Sequence, residues 1–216
     1  MSKYFERQLE ELHIQLITLG SYCEKAISFS AKAIQKVQNE EIARQVFETD
    51  RDIDAKEREI ENLCLSLLLH QHPVARDLRE ISAALKMVSD MERIGDQASD
   101  IAEIIGFLNG RIGTDAQYIC QMAVAAMRMV TESVEAYVKR DVAMAEATIQ
   151  HDDVVDDLFL KVKDSLIQMI SENPKDGEYA LDLLMIAKYF ERIGDHAVNI
   201  AEWVIFAITG NTYSEK

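Results

Sequence analysis

The stretch Glu92-Arg93-Ile94-Gly95-Asp96-Gln97-Ala98-Ser99-Asp100-Ile101-Ala102-Glu103-Ile104-Ile105 decides the fold, because it returns 99 residues later as Glu191–Val204 with nine of fourteen positions identical. A repeat at about half the length of a 216-residue chain means two copies of one structural unit. Within each copy the Glu and the Asp stand four apart, about one turn along the same face of a helix. Like charges at that spacing repel unless something positive lies between them. The chain carries that cost in both copies, so a bound cation is the first functional hypothesis.

Working outward, apolar residues recur every three or four positions almost throughout. Leu9, Leu12, Leu16, Leu19 and Cys23 open a helix that runs to Val37, ahead of a break at Gln38-Asn39-Glu40. Ile42, Val46, Ile53, Ile60, Leu63 and Leu67 mark a second, ended near His72-Pro73 because the residue before proline avoids helical geometry. A third spans about 74–108, with Leu78, Ile81, Leu85, Val88, Met91, Ala98, Ile101 and Ile105 on its buried stripe. Asn109-Gly110-Arg111-Ile112-Gly113 is the best boundary in the chain, and Thr114 with Gln117 has capping-box spacing for the next helix. Helices over about 115–139, 142–172 and 178–209 repeat the plan, the last two separated by Asn173-Pro174-Lys175-Asp176-Gly177. No alternating run argues for strand. The expected fold is all-α: two tandem three-helix bundles, residues 1–109 and 114–216, related by an internal pseudo-two-fold repeat, with short loops making sequential helices antiparallel neighbours.

Composition limits the function. Eight Gly and two Pro suit long helices, and 48% hydrophobic content suffices for a core. A net charge of −15 argues against nucleic acid and against anionic membrane surfaces. Cys23, Cys64 and Cys120 are odd in number, far apart and without CxxC spacing, which points to a reducing compartment rather than a disulfide framework or thiolate zinc site. The opening MSKYFERQLEELH lacks the apolar core of a signal peptide, and no apolar run is long enough to span a bilayer. A soluble cytoplasmic protein is expected.

The acids fall into register. With Glu92 at zero, Asp96 lies near about 40°, Asp100 near about 80° and Glu103 near about 20°, opposite the apolar stripe. Glu191, Asp195, Asn199 and Glu202 take the same angles in the second copy. The preceding helices carry a matching device, Asp50 with Asp54 and Asp152 with Asp156. Antiparallel neighbours let each Asp-xxx-Asp stripe face a Glu-xxx-Asp stripe. Ordinary solvated faces explain any one such pair on a chain with 38 acids, but explain the four-fold recurrence poorly, since a solvated face gains from Lys or Arg four residues after an acid. All-carboxylate ligands suit Mg²⁺, Ca²⁺, Mn²⁺ or iron, and their density allows bridging between several ions, whereas a closed structural zinc site wants clustered Cys and His.

Gly95 and Gly194 each cost about 1 kcal/mol in a helix interior, which implies tight packing against a neighbouring helix or close approach of another group. Arg93 and Arg192 are expected to pair with neighbouring acids. His196 belongs on a rim, His151 lies beside Asp152 within reach of the second site, and His70 and His72 read as polar residues at a helix end. Met87, Met91, Met122, Met127 and Met129 fall at apolar spacing as core filler.

Gln71-His72-Pro73-Val74-Ala75-Arg76-Asp77-Leu78-Arg79, the two Glu-Arg-Ile-Gly-Asp copies, His196 and Asn199-Ile200-Ala201-Glu202 together resemble the PhoU family of bacterial phosphate-uptake regulators, over essentially the whole chain. The resemblance implies a pair of three-helix bundles whose acidic motifs hold divalent ions, in multinuclear clusters, with iron, manganese, magnesium or zinc as candidates. Carried over, the metal positions are Asp50, Asp54, Glu92, Asp96 and Asp100, and Asp152, Asp156, Glu191, Asp195 and Asn199. Asn199 opposite Asp100 departs from the pattern and lowers the charge of the second site. The resemblance further implies a non-enzymatic, dimeric, cytoplasmic negative regulator of the phosphate-starvation response. Its implied partners are the ATPase subunit of a phosphate ABC transporter and a membrane sensor histidine kinase. Two other classes compete: a metal-free acidic helical module, and a di-iron carboxylate protein. The latter wants Glu-x-x-His on two helices, and here that spacing occurs only at Glu10–His13.

Overall fold

The computed structural model describes residues 3–35, 40–71, 73, 75–108, 111 and 116–213. They form α1 (Lys3–Gln35), α2 (Glu40–Gln71), α3 (Ala75–Phe107), α4 (Gln117–Lys139), α5 (Val142–Gln150), α6 (Asp152–Glu172), a 3₁₀ turn (Pro174–Asp176) and α7 (Gly177–Thr209), with no strand among the described residues. A 33-residue helix such as α1 is about 50 Å long. The first unit is α1–α3. The second is α4, the α5–α6 arm and α7. Among the described residues no helix is long and apolar enough to cross a membrane.

The expected apolar stripes face the core where they fall on described residues, with Leu9, Ile42, Leu63, Leu85 and Ile105 only partly buried. Leu12, Leu16, Leu19, Cys23, Ile53, Ile60, Ile81, Met87, Val88 and Met91 are all inaccessible to solvent. Leu78 departs from expectation. It is 45% exposed, because near the start of α3 the inward position goes to Glu80, which is 5% exposed and held by polar partners from α1 and from beyond α4. The Thr114 cap, Gln38-Asn39, Asn109-Gly110, Val37 and His72 lie outside the described residues. Within them α4 follows Ala116, which supplies no side-chain cap.

The helix expected over 142–172 is two. Asp141 caps α5 by accepting the Met144 N–H, and the run is interrupted at His151. There the backbone N–H is shared between Ala147 and Thr148 carbonyls, both at 3.1 Å, while the Thr148 hydroxyl returns to the Met144 carbonyl. Such local competition for carbonyls bends a helix. The His151 ring anchors the bend on α4, its Nδ1 2.9 Å from Glu132. Asp152 and Asp153 then open α6, where acids favour the positive end of the helix dipole.

The two units share one continuous apolar core. Their most extensive helix pairing is α3 with α7, and α1 also packs on α4. Two polar clusters pin this junction. Glu80 on α3 meets His13 of α1 at 2.9 Å and Arg140 at 2.5 Å, while the Tyr137 hydroxyl donates to the Glu80 carbonyl at 3.1 Å. Arg140 closes α4 in the left-handed region at φ 56°. On the α3–α7 seam, Asp90 Oδ1 is 2.9 Å from His196 Nδ1 and accepts from the Asn199 amide at 3.1 Å. On the same seam Tyr189 lies near enough to Asp100 for its hydroxyl to favour the charged carboxylate.

Candidate metal centre

Each glycine of the repeated motif lies against an acid of the preceding helix, Gly95 against Asp50 of α2 and Gly194 against Asp152 of α6. A β-carbon on Gly95 would stand 2.7 Å from Asp50 Oδ1 and 3.0 Å from Ile53 Cδ1. One on Gly194 would stand 3.0 Å from Asp152 Oδ1 and 3.6 Å from Val155. The glycines therefore serve packing and approach together: they let a carboxylate from the preceding helix lie against the motif backbone. Asp50, Asp54, Glu92, Asp96, Asp100, Asp152 and Glu191 are half-buried rather than on the fully outward face their angles suggest, whereas Asp156 and Asp195 are exposed. Asp50 Oδ1 and Asp152 Oδ1 are buried and receive no donor in hydrogen-bonding geometry. An unsatisfied buried polar atom costs about 1–3 kcal/mol, more when charged.

The electrostatics group the acids by which of them act on one another. Burial raises the Asp50 carboxyl, and Asp54, Asp96 and Asp100 add to the rise, while the nearby Ser99 hydroxyl opposes it without closing a hydrogen bond. Glu92 is raised by burial, then by Asp96, Asp54 and Asp50, with Arg93 opposing. Burial likewise raises Asp100, though the nearby Tyr189 hydroxyl opposes it. In the second unit burial, followed by Asp156, Asp195 and Glu191, pushes Asp152 up to about 6. Asp156 and Asp195 are also raised, by burial first and Glu191 next. Nine of the ten expected positions thus fall into two groups within electrostatic reach of one another: Asp50, Asp54, Glu92, Asp96 and Asp100, and Asp152, Asp156, Glu191 and Asp195. Asn199 is exposed and gives its amide to Asp90 across the seam. Among the described residues no three Asp, Glu, His or Cys side chains close into a metal-sized cage.

Other expected residues are placed as follows. Arg93 pairs with Asp96 at 3.0 Å and reaches Glu92 at 3.5 Å from the solvent side. His196 sits at the seam. His151 turns to Glu132 on α4, not to the second cluster, because the bend between α5 and α6 aims it there. His13 is bound by Glu80, so the Glu10–His13 spacing does not build a ligand pair. The cysteines are free thiols, with burial pushing Cys64 up to about 12 and Cys23 still further in the same direction. Two participants were missed from sequence. Glu57 lies one turn past Asp54 and is raised by burial and then by Glu92. Lys188 pairs with Glu191. Both lie three residues from a motif acid, a spacing that would have found them.

A twice-repeated three-helix unit with an acid-lined groove in each copy defines the class. The chain matches the PhoU domain family over residues 16–105 and again over 119–204, and it belongs to that family. It is 39% identical over 210 residues to the phosphate-specific transport system accessory protein PhoU homolog of Clostridium acetobutylicum, covering 96% of this chain and 95% of the relative. It is 32% identical to PhoU homolog 1 of Thermotoga maritima, covering 98% and 92%. The crystal structure of PhoU from Pseudomonas aeruginosa superposes with a TM-score of 0.89 at 32% identity, over 96% of this chain and 100% of that one. The phosphate transport system regulatory protein PhoU from Streptococcus pneumoniae, at 23% identity and a TM-score of 0.85, shares the fold over 98% of this chain and 100% of its own.

Proposed function

We propose that this chain is a non-enzymatic accessory of phosphate uptake that represses the phosphate-starvation response when phosphate is plentiful. The observation that carries this is the likeness, over nearly its whole length, to proteins named as phosphate-specific transport system accessories. In this role it works in the cytoplasm as a homodimer. It docks the ATPase subunit of a phosphate ABC transporter and a sensor histidine kinase, offering rigid helical faces instead of a reaction centre. Deleting the gene in its host should derepress phosphate-responsive genes in phosphate-rich medium, and normal repression in the deletion strain would sink the proposal.

The acidic grooves support a divalent-ion role within it. Asp50, Asp54, Glu92, Asp96 and Asp100 would hold ions in the first unit, and Asp152, Asp156, Glu191 and Asp195 in the second. The buried, donor-less oxygens of Asp50 and Asp152 fit a cation, and the oxygen-only ligand set suits manganese, magnesium or iron. Such an ion would neutralise the carboxylates and fix helix spacing. Added Mn²⁺ should raise the melting temperature of chelator-treated protein, since a ligand of the folded state stabilises it by mass action, and Asp96→Asn with Asp195→Asn should abolish the response. A second reading, a metal-free acidic adaptor, is favoured by the lack of a closed cage among the described residues. Melts indifferent to every divalent ion would select it.

A further inference from the structure

The two grooves are not equivalent, and the difference lies in residues outside the repeated motif. Counting from the motif, Lys188 in the second unit corresponds to Ser89 in the first. Counting from the paired aspartates, Phe159 corresponds to Glu57. Lys188 forms an ion pair with Glu191, and its Nζ stands over the Phe159 ring, 5.6 Å from the centroid. The Glu191 side chain is only 15% exposed, so the pair is not a fully solvated one. Lys188 also opposes the rise in both Asp156 and Asp195. In the first groove Ser89 turns to its own helix, bonding the Leu85 carbonyl, and Glu57 adds another carboxylate. The cations there lie at the rim: Arg93, whose side chain is 61% exposed, pairs with Asp96, while Arg192 opposes the rise in Asp100 and Arg58 that in Glu57.

We propose that Lys188, seated on Phe159 and paired with Glu191, is the resident cation of the second acid groove, so that divalent ions load the first groove in preference to the second. This rests on the divalent-ion reading above. An ammonium already among the carboxylates lowers the attraction for a second cation and must be displaced before the ion gains Glu191. A ring face holds an ammonium more readily than a hydrated divalent ion, whereas the carboxylate at the matching position, Glu57, favours the divalent ion.

The test uses the full chain stripped of metal and titrated with Mn²⁺, with bound and free ion separated by electron paramagnetic resonance. Wild type should show a tight and a weak class of site, and Glu92→Gln should remove the tight one. Lys188→Met should tighten the weak class about tenfold or more and leave the tight class in place, while Ser89→Lys should weaken the tight class. Two classes unmoved by Lys188→Met, in protein with wild-type helicity, would overturn the inference and leave the divalent-ion reading standing. The counter-ion itself is judged without metal. Lys188→Met should lower the melting temperature of the stripped protein, and should do so less in a Glu191→Gln background. Equal losses in both backgrounds would overturn it. Absence of Mn²⁺ from every variant would instead remove the divalent-ion reading, and the loading preference with it.

Discussion

Asp50 Oδ1 fills the space that a side chain on Gly95 would need: a β-carbon there would come within 2.7 Å of it. This contact makes the motif glycine a condition of the groove. Gly95→Ala should gain about 1 kcal/mol in helix propensity yet lose more by driving Asp50 and Ile53 apart from α3, for a net destabilisation of about 1–2 kcal/mol. Gly194→Ala, with 3.0 Å to Asp152 Oδ1 and looser contacts to Val155, should be near neutral. Urea melts of both variants check the ranking; equal effects would mean the grooves are equally tight.

The raised carboxyl of Asp152 predicts a pH effect on the metal-free protein. Its folded value of about 6 lies above its ordinary 3.8, so the folded state holds the proton more tightly than the unfolded chain. Stability should therefore fall as pH rises from about 4 to about 6 and stay reduced above that. Asp152→Asn should remove this decline and raise stability at pH 7 by about 1–2 kcal/mol, allowing for solvent screening at a half-buried site. Thermal melts of chelator-treated protein between pH 4 and 8 measure it. A variant no more stable than wild type at pH 7 would refute the electrostatic cost assigned to Asp152.

Glu80 predicts the opposite slope. Burial alone would raise its carboxyl, but hydrogen bonds and charge from His13 and Arg140 outweigh burial and hold it below its ordinary value. Its stabilisation is thus present above the unfolded value and lost as pH falls through the folded one. Arg140→Ala leaves a buried carboxylate with only His13 and keeps the left-handed backbone strain, so it should cost about 2–3 kcal/mol at pH 7. Glu80→Gln should flatten the acid limb of the melting curve. An unchanged limb would show that the cluster adds nothing to the junction of the two units.

Asn199→Asp now has a different expected consequence from the one its alignment with Asp100 suggests. The amide donates to Asp90, so a carboxylate there replaces a hydrogen bond with repulsion. Stability should fall by about 1 kcal/mol, with Mn²⁺ affinity of the second groove unimproved. Tighter Mn²⁺ binding in this variant would place residue 199 in the ligand shell after all.

Most helix positions were legible from periodicity, and the repeat from sequence identity, because covalent spacing fixes which residues share a helical face; setting Asp50 and Asp54 against Glu92 and Asp96 also required that sequential helices be antiparallel neighbours. Membership of the family was legible from the resemblance of its motifs, since the repeated Glu-Arg-Ile-Gly-Asp segment is local. What lay between helices was not. Periodicity places Leu78 on the buried stripe, whereas His13 and Arg140, distant in sequence, let Glu80 take the inward position. It also runs one helix through His151, where a contact with Glu132 of α4 anchors a bend. Asn199 aligns with Asp100 along the chain, yet its partner is set by how α7 crosses α3. The pairing of Lys188 with Glu191 is local, but its seat on Phe159 joins two helices. Such contacts depend on interhelical distances of a few ångströms, and only the packed core supplies those.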